Sequence, residues 1–136
     1  MHDQPAARGT ILLVEDEPFV ALVAQQVLED HGFAVVVAGY GQAALDQAHA
    51  VPAAGPGAFV LAVVDVGLPD IGGDEVVRCL RRIRPALPVV IATGYATDEL
   101  EAEFGPAPGV AVIRKPYDVR TLRTTLRQLG VEMPED

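Results

Sequence analysis

The 136-residue chain has one cysteine, ten lysines and arginines against nineteen acidic residues, and no apolar run long enough to cross a bilayer. The lone Cys79 excludes an intramolecular disulfide framework and suits a reducing compartment. It sits inside a helical pattern, which marks it as a small packing residue rather than a reactive thiol. The formal net charge of -9 argues against a nonspecific grip on nucleic acid or anionic lipid, since both need clustered Lys and Arg. Basic residues do gather in RCLRRIRP, Arg78 to Pro85, and at helical spacing such a run reads as a solvated face. The opening MHDQPAARG has no apolar core of the secretory type, and FAVVVA and FVLAVV are far too short to span a membrane. A soluble, cytoplasmic protein is expected, with neither nucleic acid nor membrane as partner. Low-complexity segments are absent as well.

Half of the residues are hydrophobic, enough for one domain with a core of its own. Five short apolar runs recur: TILLV (10–14), FAVVVA (33–38), FVLAVV (59–64), PVVIA (88–92) and VAVI (110–113). Rich in β-branched residues and without polar alternation, they read as strands buried on both faces. Helical stretches separate them. PFVALVAQQVLEDHG opens on a proline suited to a first turn, closes on Gly32, and offers Val20, Val23, Val27 and Leu28 as an apolar stripe. GQAALDQAHA is a shorter helix, and TDELEAEF has room for two turns. GDEVVRCLRRIR places Val76, Val77, Leu80 and Ile83 on one face. DVRTLRTTLRQLG has Asp118 as N-cap, Gly130 as stop, and Val119, Leu122, Leu126 and Leu129 inward.

Five repeated β-α units predict an α/β fold: a doubly wound, five-stranded parallel sheet with helices on both faces, three layers in all. The flavodoxin-like strand order 2-1-3-4-5 is expected. Residues 1–9 read as a flexible N-terminal segment, 10–130 as the domain and 131–136 as an acidic C-terminal tail, which leaves no room for an output domain.

In open α/β sheets the ligand sits outside the carboxyl ends of the strands. Glu15 and Asp16 follow the first strand, Asp65 and Gly67 the third, Thr93, Gly94 and Tyr95 the fourth, and Arg114, Lys115 and Pro116 the fifth. The first and third strands are neighbours in this order, so three carboxylates share one edge. Like charges that close require either a raised pKa or a cation. Oxygen ligands of this kind suit Mg²⁺, which commonly takes one or two carboxylates together with phosphate oxygens. A lysine and a threonine on neighbouring strand ends complete a phosphoryl site, with Asp65 as the natural nucleophile for an acyl phosphate.

LLVEDEP (12–18), VVDVGLPDIGGDEV (63–76), ATGY (92–95) and IRKPYD (113–118), in this order and at strand ends, resemble the receiver domain of two-component response regulators across about residues 10–129. The resemblance implies that Asp65 is the phosphoacceptor and that Asp16, Asp65 and the Gly67 carbonyl bind Mg²⁺, with Glu15 reaching the metal through water. It implies that Thr93 and Lys115 contact the phosphoryl group and that Pro116 shapes the turn. The donor would be a sensor histidine kinase or histidine phosphotransferase, and the output a downstream protein partner or service as a phosphate shuttle or sink, with a homodimer possible. The domain's own catalysis would be limited to phosphorylation and autodephosphorylation.

Two features depart from the common pattern. Val112 stands where many receivers carry an aromatic switch residue, three positions before the lysine. VIATGY resembles the FATGUY group of mostly stand-alone receivers, with Ile91 in place of phenylalanine, so a loop switch at Gly94 and Tyr95 is expected instead of a ring flip. Gly67 and Tyr95, two past the phosphoacceptor and two past the threonine, flank the path of attacking water. The alternative class is an enzyme on a similar sheet. A Mg²⁺-dependent phosphohydrolase of the haloacid type needs a second aspartate where Gly67 stands, and the acidic EDE after the first strand would repel a flavin phosphate. His2, His31 and His49 show no metal-ligand spacing and read as solvated.

Overall fold

The computed structural model describes residues 8–55, 57–94, 98–104 and 108–133. Strands and helices alternate: β1 (Thr10–Val14), α1 (Pro18–Asp30), β2 (Ala34–Ala38), α2 (Gly41–Ala50), β3 (Phe59–Asp65), α3 (Gly73–Ile83), β4 (Val89–Thr93), α4 (Asp98–Phe104), β5 (Val110–Arg114) and α5 (Val119–Gln128). All strand pairs are parallel, in the order β2-β1-β3-β4-β5 expected from the β-α repeat.

Successive residues of a strand point to opposite faces, so a sheet covered on both sides needs apolar residues at every position. Leu12, Val14, Ala62, Val64, Val89 and Ile91 pack with Ala44, Val76, Val77, Leu80 and Phe104 of α2, α3 and α4. The alternate residues Ile11, Leu13, Leu61, Val63, Val90 and Ala92 pack with Ala21, Leu28, Leu122 and Leu126 of α1 and α5. Leu80 is fully enclosed, and truncating such a side chain to alanine costs ~2–5 kcal/mol. Helix ends are also as read: Asp118 Oδ1 accepts the Thr121 N–H at 2.8 Å to cap α5. Gly32 and Gly130 take φ of +97° and +82° just past α1 and α5, the left-handed conformation that glycine tolerates.

Several expectations are corrected. The β2 strand is not buried on both faces; it lies at the sheet edge, and its Val37 is 40% exposed. On α1, Val20 and Val23 are exposed, and the inward residues are Ala21, Ala24, Val27 and Leu28. This helix is apolar on two sides, so periodicity alone could not select the inner one. Phe19, Leu22 and Val23 form the second, outward stripe.

The basic cluster of α3 is no merely solvated face. Arg78 pairs with Asp74, Glu75 and Glu103 and lies 6.0 Å from the Phe104 ring centroid, tying α3 to α4. Arg81 donates to the carbonyls of Leu87 and Pro108, each at 2.6 Å, and Arg84 to those of Ala48 and Val51 at 3.1 and 2.7 Å. His31 likewise is bonded, its Nδ1 lying 2.8 Å from the Val27 carbonyl. Past α5, Val131 and Met133 pack onto the α1–α5 side of the core.

Candidate functional site

The register of the sheet brings four strand ends to one rim. Val14 of β1 pairs with Val64 of β3, so the residues that follow, Glu15 and Asp65, emerge side by side. Asp65 pairs with Ala92, and Thr93 with Arg114, which sets Lys115 one step beyond the β4 terminus. There the Lys115 N–H donates to the Thr93 carbonyl at 2.7 Å.

Glu15, Asp16 and Asp65 each offer a carboxylate oxygen, and these oxygens lie within 4.8 Å of one another. Glu15 and Asp65 are buried, each only 6% exposed, whereas Asp16 faces solvent. Lys115 Nζ donates to Asp65 Oδ1 at 2.8 Å and to Glu15 Oε1 at 3.3 Å. The other Glu15 oxygen, Oε2, accepts the Glu17 N–H at 3.2 Å at the mouth of α1. Burial, then the Asp65 charge, push the Glu15 carboxyl above its ordinary range. Burial alone would lower Lys115, but its hydrogen bonds and attraction to Asp65 and Glu15 prevail and hold the ammonium above its usual value. Burial also raises the Tyr117 phenol, with the Glu15 charge adding to the effect.

The charges do not cancel, since three carboxylates face one ammonium. Like unit charges at about this separation repel by roughly 3–4 kcal/mol at the effective dielectric of a protein surface. The hard-oxygen donor set therefore fits a divalent cation such as Mg²⁺.

Thr93 ends β4 and is buried, with 1% of its surface exposed. Gly67 lies beside the phosphoacceptor candidate: a Cβ there would come 3.7 Å from Asp65 Oδ2. Behind it, α3 starts hard against the Asp65 backbone. A Cβ on Gly73 would sit 2.4 Å from the Asp65 carbonyl oxygen, and the Gly73 N–H donates to Val66 O at 3.1 Å. Gly72 and Gly73 thus serve the turn into α3. The Lys115–Pro116 peptide is cis. Val112 is half-buried against the α2–α4 side of the core, which also holds Leu100 and Phe104. Tyr95, expected to act in a loop switch, lies outside the described residues.

All six expected site residues, Glu15, Asp16, Asp65, Gly67, Thr93 and Lys115, stand at this rim. Asp70 was missed. It accepts backbone N–H groups from the start of α2, and the available signal was that Tyr40, preceding that helix, is not a capping residue.

Residues 11–127 match the family model of the response regulator receiver domain. The chain belongs to this family. It is 36% identical over 124 residues to the transcriptional regulatory protein CreB of Escherichia coli (strain K12), a match covering 90% of this chain and 51% of CreB. It is 34% identical over 128 residues to the probable transcriptional regulatory protein TcrX of Mycobacterium tuberculosis, covering 90% of this chain and 51% of that one. The receiver chain thus spans about half the length of these curated relatives. Among solved structures, the chemotaxis protein CheY4 of Vibrio cholerae superposes with a TM-score of 0.78 at 25% identity, covering 90% of this chain and 99% of that one. A CheY-like receiver domain protein from Methanospirillum hungatei superposes with a TM-score of 0.74 at 29% identity, covering 88% and 90%. Receiver domains are regulatory phosphoacceptor domains of two-component signalling, and the five-stranded order found here is theirs.

Proposed function

We propose that this receiver accepts a phosphoryl group on Asp65 and thereby switches a partner protein or relays the group onward. The observation that carries the reading is Lys115 Nζ set between the buried Asp65 and Glu15 carboxylates at the carboxyl rim of the sheet. Mg²⁺ would be held by Asp16, Asp65 and the Gly67 carbonyl, with Glu15 acting through water. Bound there, it supplies positive charge to the oxygens of the incoming phosphoryl group.

The chain's own residues do the rest. A carboxylate oxygen of Asp65 attacks phosphorus while the bond from phosphorus to the donor's imidazole nitrogen breaks; that nitrogen keeps the electron pair and takes up a proton. Lys115 offsets charge on the transferred group, and the Thr93 hydroxyl donates to one of its oxygens. In hydrolysis, a water oxygen attacks phosphorus, the Asp65–phosphorus bond breaks, and carboxylate and inorganic phosphate are released. Gly67, carrying no side chain, leaves that approach open.

The protein that donates the phosphoryl group, a sensor histidine kinase or histidine phosphotransferase, docks in this reading on α1. That helix leaves the rim directly after Glu17 and exposes Phe19, Leu22 and Val23, by 71%, 58% and 49%, along one side. Signal output follows from a rearrangement of the loop after β4 once Thr93 engages the phosphoryl group. The phosphoacceptor reading is tested by incubating the chain with Mg²⁺ and acetyl phosphate. A mass gain of one phosphoryl group, absent without Mg²⁺ and absent in Asp65→Asn, supports it; no gain in the unmodified chain contradicts it.

A further inference from the structure

Residues 66–72, between β3 and α3, carry Gly67 and are tied down at two points. At the base, the Gly73 N–H donates to Val66 O at 3.1 Å. At the tip, Asp70 Oδ1 accepts the Gly41 N–H at 2.7 Å and Asp70 Oδ2 accepts the Gln42 N–H at 2.9 Å. Gly41 and Gln42 are the first two residues of α2, whose own N-cap residue, Tyr40, makes no side-chain cap bond. A carboxylate far along the chain therefore satisfies amides that the helix cannot pair internally.

The fit is close. A Cβ on Gly41 would lie 2.9 Å from Val76 Cγ2, 3.0 Å from Ile71 Cβ and 3.2 Å from Asp70 Oδ1, so the absence of a side chain is what lets loop and helix approach. Hydrogen bonds to an ionised acceptor are about twice as strong as neutral ones, and a two-pronged clamp fixes orientation as well as position. Between the clamp and Gly67 the chain is stiff, because Pro69 has a locked φ and Leu68 packs on the core. Ile71, on the far side of Asp70, is packed there too.

We propose that Asp70 is a positioning residue for phosphoryl transfer: by clamping residues 66–72 to α2, it holds the Gly67 carbonyl where the cation needs it. The inference rests on the reading of Asp16, Asp65 and Gly67 as the Mg²⁺ ligands. It differs from a plain helix cap in its consequence, since a cap affects the stability of α2 and a positioning residue also affects cation affinity. Residues that orient metal ligands from behind typically change affinity by 10–100-fold when lost.

The test is calorimetric titration of Mg²⁺ into the full chain, at fixed ionic strength, for the unmodified protein, Asp70→Ala and Asp70→Asn. Thermal midpoints and amide hydrogen exchange over residues 66–72 are recorded alongside. Asp70→Ala is expected to weaken Mg²⁺ binding about tenfold and to speed exchange in the loop. Asp70→Asn keeps one acceptor and should fall between. If Asp70→Ala fails to fold, a weakened affinity in Asp70→Asn carries the same conclusion. Unchanged Mg²⁺ affinity in the folded variants, with only a lowered midpoint, overturns the proposal and leaves the phosphoacceptor reading intact. Failure of the unmodified chain to bind Mg²⁺ overturns both.

Discussion

Lys115 Nζ lies 2.8 Å from Asp65 Oδ1, a contact that spans fifty positions of sequence and reaches across the intervening strand β4. The same ammonium reaches Glu15, the residue that follows β1, so one cation draws together groups from three strand ends. In the proposed reading, side chains already held this way need little reorganisation when charge develops on a transferring phosphoryl group.

Replacing the ammonium tests that role. Lys115→Gln keeps a polar side chain, one bond shorter, but removes the charge. The rate of phosphoryl incorporation from acetyl phosphate should fall roughly 10²-fold, the usual loss when one preorganised electrostatic group is removed from a reacting centre. Time courses by intact-mass measurement would read it, and an unchanged rate would exclude Lys115 from the chemistry.

Glu15 predicts a pH dependence of stability. Its folded carboxyl holds the proton more tightly than the unfolded one, because burial and Asp65 oppose its charge. The stability from this source is complete below the ordinary glutamate range and is lost as pH rises through the raised folded value. Glu15→Gln, neutral throughout, escapes that loss. Without divalent cations, the midpoint of Glu15→Gln relative to the unmodified chain should be more favourable near pH ~7 than near pH ~4. Thermal melts at the two pH values decide it; a constant difference would mean that Glu15 is not strained by its neighbours.

The sheet and its rim were legible because chemistry and periodicity agreed. Five short, β-branched apolar runs without alternation marked the five strands, although β2 at the sheet edge is covered less than such a run implies, and a residue directly after each strand is carried to one edge by topology. Asp65 and Lys115 could be placed together on that ground. What periodicity could not settle was α1, where Ala21 and Leu28 compete with Phe19 and Leu22 for the inner face and small residues win the close approach to the sheet. Nor could local patterns reveal Arg81 and Arg84 bonding distant carbonyls, or Asp70 capping a helix that begins at Gly41. Those contacts join segments whose proximity exists only after folding.

The outward stripe of α1 yields a prediction that separates docking from chemistry. Phe19→Ser combined with Leu22→Ser should slow transfer from a phosphorylated histidine phosphotransferase by about tenfold or more, as loss of central interface anchors does. The rate with acetyl phosphate should stay unchanged, because a small donor needs no docking surface. Parallel kinetics with the two donors check it. Equal slowing with both would place the effect in the fold of the rim rather than at an interface.

A bond from an Asp65 carboxylate oxygen to phosphorus is read directly by borohydride reduction, since an aspartyl phosphate is reduced to homoserine while a free carboxylate is not. After treatment with Mg²⁺ and acetyl phosphate, peptide mapping should find homoserine at position 65 and at neither Asp16 nor Asp70. Homoserine at another aspartate, or unmodified Asp65 in a chain that has gained a phosphoryl group, would contradict the account.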